Sequence, residues 1–231
     1  MKQRLSPFRP LLLPSILLLL FMTLASSYSL LAWFDAMVVS LAGMIPRAVT
    51  PFMNAVSILG NFYEDIIIIV VIAAWELMRR HYNRALVTIL TLLAFPLFFV
   101  VKETVSRARP AGELVIATGL PGYSFPSGHA VTSAVAFGIL AILAYSHLKR
   151  PWKYIVLAAC LLLIFAIGVS RIYLGAHYPT DVVGGWLLAL IVLSALRALS
   201  ITIAERTTHK VSSTTEDPEH AAGPPIAGDK S

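Results

Sequence analysis

Three short clusters of polar and charged residues interrupt an otherwise apolar sequence, and each lies at the end of an apolar run. The clusters are Lys102 to Arg109-Pro110, Pro126-Ser127-Gly128-His129, and Ser170-Arg171 to His177 and Asp181. Together they supply three cations, two imidazoles, a carboxylate and a Ser-Gly turn. These groups suit a tetrahedral oxyanion that is attacked by one imidazole while another imidazole protonates the leaving oxygen.

The second cluster has the pattern of an anion site at a helix N-terminus. Pro126 is expected in the first turn of a helix, where its missing N–H costs nothing. Ser127, Gly128 and His129 would then present free backbone N–H groups, which bind anions at such a terminus. Gly128 would let a phosphate group approach the backbone closely.

The cations of the first and third clusters are spaced to surround that anion. Lys102 precedes Arg109 by about two helical turns, so both can face one point. Pro110 disfavours helix at Arg109, which therefore should lie just past a helix end. Arg171 provides a planar fork that suits phosphate oxygens. The remaining arginine of the first cluster, Arg107, is predicted to be a solvated charge.

The third cluster assigns different roles to the two histidines. Pro179 marks a helix start, which places Asp181 in the first turn and His177 just before it. A nearby carboxylate fixes the tautomer of an imidazole and stabilises its cationic form. His177 is therefore the predicted nucleophile, and His129 is the predicted acid for the leaving group. The other four histidines are interpreted as interfacial packing residues: His81, His147, His209 and His220.

The composition predicts a polytopic membrane protein. Of the 231 residues, 58% are hydrophobic and 13% are charged, whereas a soluble domain carries about 25% charged residues. The net charge of +6 does not indicate nucleic-acid binding, because the basic residues lie at the ends of apolar runs. The single cysteine, Cys160, falls inside such a run, and no Cys/His group has zinc-ligand spacing, so we expect no metal and no cofactor.

The apolar runs predict an all-α fold with six transmembrane helices and short surface helices between the first two. The predicted spans are 11–33, 66–78 with an extension back to 62, 85–101 with a kink at Pro96, 129–145, 154–173 and 180–203. Residues 37–45 and 52–59 are the candidate surface helices, with an ordinary loop as the alternative. The first run is either a retained span or a cleaved signal peptide. One domain should cover 1–206, followed by a disordered cytoplasmic tail over 207–231.

The distribution of Lys and Arg predicts the orientation. Positive residues favour the cytoplasm, and those outside the clusters fall mainly in the N-terminal segment, the 79–84 loop, the 149–153 loop and the tail. Both termini should therefore be cytoplasmic. The three polar clusters then share the outer face.

The spacing of the clusters resembles the three-part motif of the type 2 phosphatidic acid phosphatase family, which also includes vanadium haloperoxidases. That motif is Lys, six residues, Arg-Pro; then Pro-Ser-Gly-His; then Ser-Arg, five residues, His, three residues, Asp, and this sequence matches it without a departure. The resemblance implies that His177 forms a phosphohistidine, that Asp181 orients His177, and that His129 protonates the leaving group. It also implies a metal-free phosphate site made by Lys102, Arg109, Arg171, Ser127 and Gly128.

The resemblance predicts a lipid phosphatase of the cell membrane, active at its outer face. Undecaprenyl diphosphate is the first expected substrate and phosphatidylglycerophosphate the second, followed by lipid A or phosphatidic acid. The alternatives are a lipid-linked phosphotransferase, a vanadate-dependent haloperoxidase and a non-catalytic membrane transporter. The membrane spans disfavour a haloperoxidase, because those relatives are soluble. Charges gathered at one face disfavour a transporter, whose charges would lie near mid-bilayer.

Overall fold

The computed structural model describes residues 9–112, 115–117 and 119–215, and its regular structure there is helical throughout. The helices are α1 (Arg9–Ser27), α2 (Ala32–Gly43), α3 (Thr50–Ile58), α4 (Phe62–Met78), α5 (Tyr82–Leu90), α6 (Ala94–Val105), α7 (Gly128–His147), α8 (Trp152–Tyr173) and α9 (Pro179–Thr215). Short 3₁₀ turns join α1 to α2, precede α3, and join α5 to α6.

Six helical stretches are long and apolar enough to cross a membrane, which confirms the predicted number. They cover residues 10–43, 47–78, 82–105, 128–147, 152–173 and 179–202. A span needs about 20 residues, so the 34 residues of the first stretch exceed one crossing. The excess is α2, and α3 forms the first part of the second stretch, before the long helix α4. Short helices thus stand between the first two long helices, as the sequence predicted.

The third stretch changes its helical geometry where the sequence predicted a kink. Proline has no N–H to donate to the carbonyl four residues earlier, which for Pro96 is the carbonyl of Leu92. A 3₁₀ turn over Thr91–Leu93 separates α5 from α6 at this point. The structure therefore places the irregularity one turn before the proline.

Helix α7 lies at the centre of the bundle and contacts α4, α6, α8 and α9. Most of its buried side chains are small, and Val131 and Val135 are fully buried. Small residues allow helices in a membrane to approach each other closely. Gly185 of α9 shows this directly, because a Cβ there would lie 2.8 Å from both the Ala130 Cβ and the Ser127 carbonyl oxygen. The start of α9 is thus brought against the start of α7.

The periphery of the bundle is apolar and exposed. On α1, for example, Leu12 and Leu19 are 62% and 69% exposed, as expected for side chains that face lipid. Helix α9 continues past position 206, where the tail was predicted to begin, and ends at Thr215. The rest of the predicted tail, 216–231, lies outside the described residues.

Candidate active site

The three polar clusters meet at one end of the bundle. The backbone N–H of Ser127 donates to the Asp181 carbonyl at 3.0 Å, which joins the second cluster to the third. Arg109 Nη1 donates to the Ala176 carbonyl at 2.9 Å, which joins the first to the third. His129 lies within electrostatic range of the remaining charged groups of the site: Arg171, His177, Arg109 and Lys102. The predicted site residues are therefore all brought together.

Lys102 and Arg109 hold the loop that precedes α7. Lys102, in the last turn of α6, donates from Nζ to the Tyr123 carbonyl at 2.7 Å and is 8% exposed. Arg109 lies past the end of α6, as predicted, and donates to the carbonyls of Pro121 and Gly122 at 3.0 and 3.1 Å. Both cations are thereby fixed beside the two histidines rather than left free in solvent.

Arg171 is positioned by a helix that the sequence analysis did not connect with the site. Its Nη1 donates to Ser57 Oγ at 2.6 Å, and its side chain is 8% exposed. Ser57 belongs to α3, and the same helix is tied to the end of α8 by a 2.8 Å hydrogen bond between Thr50 Oγ1 and the Tyr173 hydroxyl. The short helix α3 thus orients one cation of the site.

The N-terminus of α7 differs from the prediction in two respects. The helix begins at Gly128, so Pro126 precedes it and is not in its first turn. The Ser127 N–H is occupied by the Asp181 carbonyl and is not available to an anion. The N–H groups of Gly128 and His129 stand at the helix start, where intrahelical acceptors do not exist. They remain suited to an oxyanion.

Gly128 has a packing role besides the predicted one. A Cβ at this position would lie 3.3 Å from Phe98 Cε2, which is a tight contact. The absence of a side chain therefore lets α6 pack against the start of α7.

His177 is nearly completely buried, with 2% exposure. Arg109 Nη1 lies 3.3 Å from its Nε2. A guanidinium can only donate, so Nε2 carries the lone pair in this tautomer. Burial is the main reason that the pKa of His177 is lowered to about 4, while Asp181 opposes the shift and Arg171 and Lys102 reinforce it. The imidazole is therefore neutral near pH 7.

Asp181 lies beside the other nitrogen but does not bond to it. Its Oδ2 is 3.8 Å from His177 Nδ1, which is too long for a hydrogen bond. The same oxygen accepts from the Ser124 hydroxyl and from the Tyr178 N–H at 2.8 Å. The carboxylate is thus fixed by the backbone and by Ser124 at a distance that a small rotation of the imidazole would close.

The prediction that Arg107 is a solvated charge is wrong, because its side chain is buried. Only 7% of it is exposed, and its Nη1 donates to Asp181 Oδ1 at 2.6 Å. Its guanidinium lies between the rings of Tyr28 and Tyr178, at 4.3 and 4.2 Å from their centroids. Stacking between two aromatic faces immobilises a planar cation. Arg107 therefore holds the carboxylate that faces His177.

Asp35 on α2 completes this network and was also missed. It accepts from Arg107 Nη2 at 2.6 Å and from the Thr180 N–H at 3.0 Å, and it is 1% exposed. The available signal was that Asp35 is the sole acidic residue in the first apolar stretch, 10–43, since such a residue requires a buried partner. Ser124 and Ser57 carry no comparable signal, because each is an ordinary serine beside an apolar run.

Three buried polar atoms of the site have no hydrogen-bond partner among the described residues. They are Ser127 Oγ, Arg171 Nε and His177 Nδ1. Buried polar groups are nearly always paired. Two of these atoms are donors suited to an oxyanion, which would supply the acceptors that they need.

An apolar cavity opens beside His129 between α4 and α6. It has a volume of about 320 Å³, and its aromatic lining consists of Phe62, Tyr63, Phe98 and Phe99. Tyr63 and Phe99 are 72% and 51% exposed, so the cavity reaches the outer surface of the bundle. His129 thus faces an apolar chamber, whereas His177 faces polar groups.

Comparison with known proteins agrees with the motif and with the fold. The model of the PAP2 superfamily matches residues 84–203, which contain all three clusters. The crystal structure of the first transmembrane PAP2 type phosphatidylglycerolphosphate phosphatase from Bacillus subtilis superimposes with a TM-score of 0.72 at 28% sequence identity. The match covers 83% of this chain and 97% of that one.

Curated relatives match shorter parts of this chain. Phosphatidylglycerophosphatase B of Bacillus subtilis (strain 168) is 34% identical over 95 residues, which are 40% of this chain and 45% of the relative. An undecaprenyl-diphosphatase of Sulfolobus acidocaldarius is 41% identical over 66 residues, which are 29% of this chain and 28% of the relative. The chain thus spans less than half the length of these curated relatives.

Proposed function

The chain belongs to the PAP2 superfamily, as its three motifs predicted, and from this premise we propose that it is a membrane lipid phosphatase that acts through a phosphohistidine. The proposal depends on one observation, which is that the two imidazoles of the site have different surroundings. His177 lies among cations and beside a fixed carboxylate, whereas His129, within range of the same cations, also lines an apolar cavity. A phosphate head group fits the first environment and a lipid chain the second.

The first step joins the substrate phosphorus to His177. Nε2 attacks the phosphorus, the bond from phosphorus to the lipid oxygen breaks, and His129 donates a proton to that oxygen. Lys102, Arg109 and Arg171 offset the charge on the phosphoryl oxygens, together with the N–H groups at the start of α7. Asp181 stabilises the positive charge that develops on the imidazole of His177.

The second step returns the enzyme to its starting state. Water attacks the phosphorus on the opposite side from Nε2 while His129, now neutral, accepts a proton from the water. The bond between phosphorus and Nε2 breaks, and inorganic phosphate leaves. Arg107 and Ser124 keep Asp181 in place through both steps, which is the role that their buried contacts support.

The substrate is a lipid with a terminal phosphate or diphosphate. Undecaprenyl diphosphate is the first choice and phosphatidylglycerophosphate the second, and both correspond to the names of relatives. The exposed aromatic side of the cavity supports a long apolar chain that enters sideways from the membrane. The purified protein should release phosphate from one of these lipids in preference to the other.

A trapping experiment tests the covalent step. The enzyme is mixed with a labelled lipid phosphate, quenched in alkali, where phosphohistidine survives, and mapped by peptide mass spectrometry. We expect the label on His177 in the wild type and in His209→Ala, a control histidine that belongs to none of the three motifs. His177→Ala should carry none. Label on another residue would overturn the mechanism, and label that passes to a second lipid instead of water would favour the phosphotransferase.

The orientation of the protein is part of the proposal. The Lys and Arg count supports cytoplasmic termini, with the active site on the outer face. Single cysteines are introduced into a Cys160→Ala background and treated with an impermeant thiol reagent on intact cells. Residues 111–125 should react and residues 149–153 should not. The reverse pattern would place the active site on the cytoplasmic face.

A further inference from the structure

A second cluster of chemically active side chains lies at the opposite end of the bundle. Glu76 is in the last turns of α4, His81 follows that helix, and His147 is the last residue of α7. Both helices begin beside the phosphate site, and the 20 residues of α7 span about 30 Å. The cluster is therefore separate from the active site.

The ligand-capable atoms of these three residues converge. One carboxylate oxygen and one nitrogen from each imidazole lie within 4.8 Å of one another. His81 Nδ1 is 2.7 Å from Glu76 Oε2, and His147 Nε2 is 3.9 Å from Glu76 Oε1. Atoms that share a tetrahedral zinc ion lie roughly 3.3 Å apart, given bonds of about 2.0–2.2 Å. Small side-chain rotations would bring all three to that spacing.

Burial and ring packing favour such a site over a chance encounter. The Glu76 side chain is 3% exposed, whereas those of His81 and His147 are 37% and 28% exposed. A buried carboxylate needs a compensating charge or hydrogen bonds, and two imidazoles open to solvent can deliver a cation to it. The His147 ring is held edge-on against Trp75, with centroids 5.2 Å apart.

The contact with Arg84 indicates which nitrogen of His147 is unprotonated. Arg84 Nη1 lies 2.9 Å from His147 Nε2, and because a guanidinium only donates, Nε2 is unprotonated. The nitrogen therefore has the lone pair that metal coordination requires, and in this arrangement the lone pair accepts from Arg84. The exposed Arg84 side chain competes for that lone pair.

We propose that Glu76, His81 and His147 form a binding site for Zn²⁺. Two imidazole nitrogens and one carboxylate oxygen, with a remaining position for water, are a common donor set for this ion. The ion would connect the turn after α4 to the end of α7, two segments that are otherwise joined through side-chain contacts. The sequence predicted interfacial packing for both histidines, because a lone histidine at the end of a span usually packs at the membrane interface. His147 is far from the other two ligands in the chain, so no local spacing indicated a metal site.

The test is a titration of the tag-free protein in detergent with Zn²⁺, in competition with a coloured chelator. We expect one ion per chain. His147→Ala, at the exposed end of α7, and Glu76→Gln should each weaken binding by at least roughly 100-fold, because each removes a ligand. Arg84→Gln should strengthen binding several-fold, because it removes the competitor for the Nε2 lone pair.

Two controls separate this site from other histidines. His129→Ala should bind Zn²⁺ as the wild type does, and so should a variant with His209→Ala and His220→Ala. Unchanged affinity in His147→Ala, loss of binding in His129→Ala, or no binding by the wild type would each overturn the proposal. If Glu76→Gln does not fold, the other two variants decide the question, because His147→Ala should weaken Zn²⁺ binding and Arg84→Gln should strengthen it.

Discussion

The surroundings of the two histidines differ in kind, although both belong to one site. Around His177 the groups are charged, buried and mutually bonded, in the series Asp35, Arg107, Asp181. Around His129 the wall is aromatic and partly exposed, with Phe98 and Phe99 among its residues. Under the proposed mechanism, the difference would give the nucleophile one fixed geometry and let the proton donor meet leaving groups attached to bulky lipids.

The largest expected effect comes from removing each imidazole in turn. His177→Ala should be inactive on a lipid monophosphate, a lipid diphosphate and an activated aryl phosphate, because no covalent intermediate forms. His129→Ala should lose about 10²–10⁴-fold on the monophosphate, less on the diphosphate and least on the aryl phosphate, whose leaving group needs little protonation. The measurement is the ratio of wild-type to variant kcat on each substrate. The opposite pattern would exchange the two roles.

Removing Arg107 from the series Asp35, Arg107, Asp181 should have the next largest effect on activity. Arg107→Gln leaves two buried carboxylates without their shared partner, which costs about 3–5 kcal/mol of unfolding free energy, and kcat should fall with it. Arg107→Lys retains the charge but not the fork, so it should recover stability more than activity. Thermal unfolding in detergent and kcat are measured together. Wild-type values in Arg107→Gln would show that the series does not hold Asp181.

Removing an aromatic side chain from the cavity beside His129 should have a moderate effect on KM that depends on the length of the lipid chain. Phe99→Ala should raise KM for a long-chain substrate roughly fivefold, equivalent to about 1 kcal/mol of lost apolar contact. The KM for a short, soluble aryl phosphate should not change. Leu12→Ala on α1, another exposed apolar residue that does not line the cavity, is the control. An equal change in KM for both substrates would show that the cavity does not bind the lipid chain.

The pH dependence of activity should show a smaller effect, which comes from the buried, charged surroundings of His177. Because the pKa of His177 is lowered to about 4, its nucleophilic form persists until the pH falls through that value. The acid limb of kcat/KM on an aryl phosphate should therefore lie near pH 4, after correction for ionisation of the substrate phosphate. Asp181 raises the pKa of His177, so Asp181→Asn should move the limb to lower pH. A limb at the ordinary imidazole value would contradict the buried site.

The smallest expected effect is that of chelators on catalysis. Lys102, Arg109 and Arg171 supply the positive charge of the phosphate site, so phosphate release should persist in chelator and should be inhibited by vanadate. The zinc site proposed at the far end does not contact these groups. Complete loss of activity that Mg²⁺ restores would show that a metal takes part in the reaction.

The sequence predicted the features that depend on local patterns. Apolar run lengths predicted the six spans, and the proline predicted the interruption before α6. Fixed motif spacing selected the eight candidate site residues that the structure brings together. Contacts between distant segments were not predictable in the same way. Arg107 and Asp35 are separated by 72 residues, and whether an arginine near a helix end is solvated depends on what packs over it. Likewise, Pro126 suits a helix start, but the bond from the Ser127 N–H to α9 delays that start to Gly128.

The charged series also has a consequence for biosynthesis. Asp35 precedes Thr180, whose N–H it accepts, by 145 residues. At translation rates of about 5–20 residues per second, that delay is on the order of ten seconds. For about the first half of that interval the charge partner Arg107 has not been synthesised, and Thr180 follows only at its end. A chain that stalls before the last helix is inserted would leave Asp35 and Arg107 without Thr180 and Asp181, which distinguishes it from a finished molecule for the proteases and insertion machinery that survey the membrane.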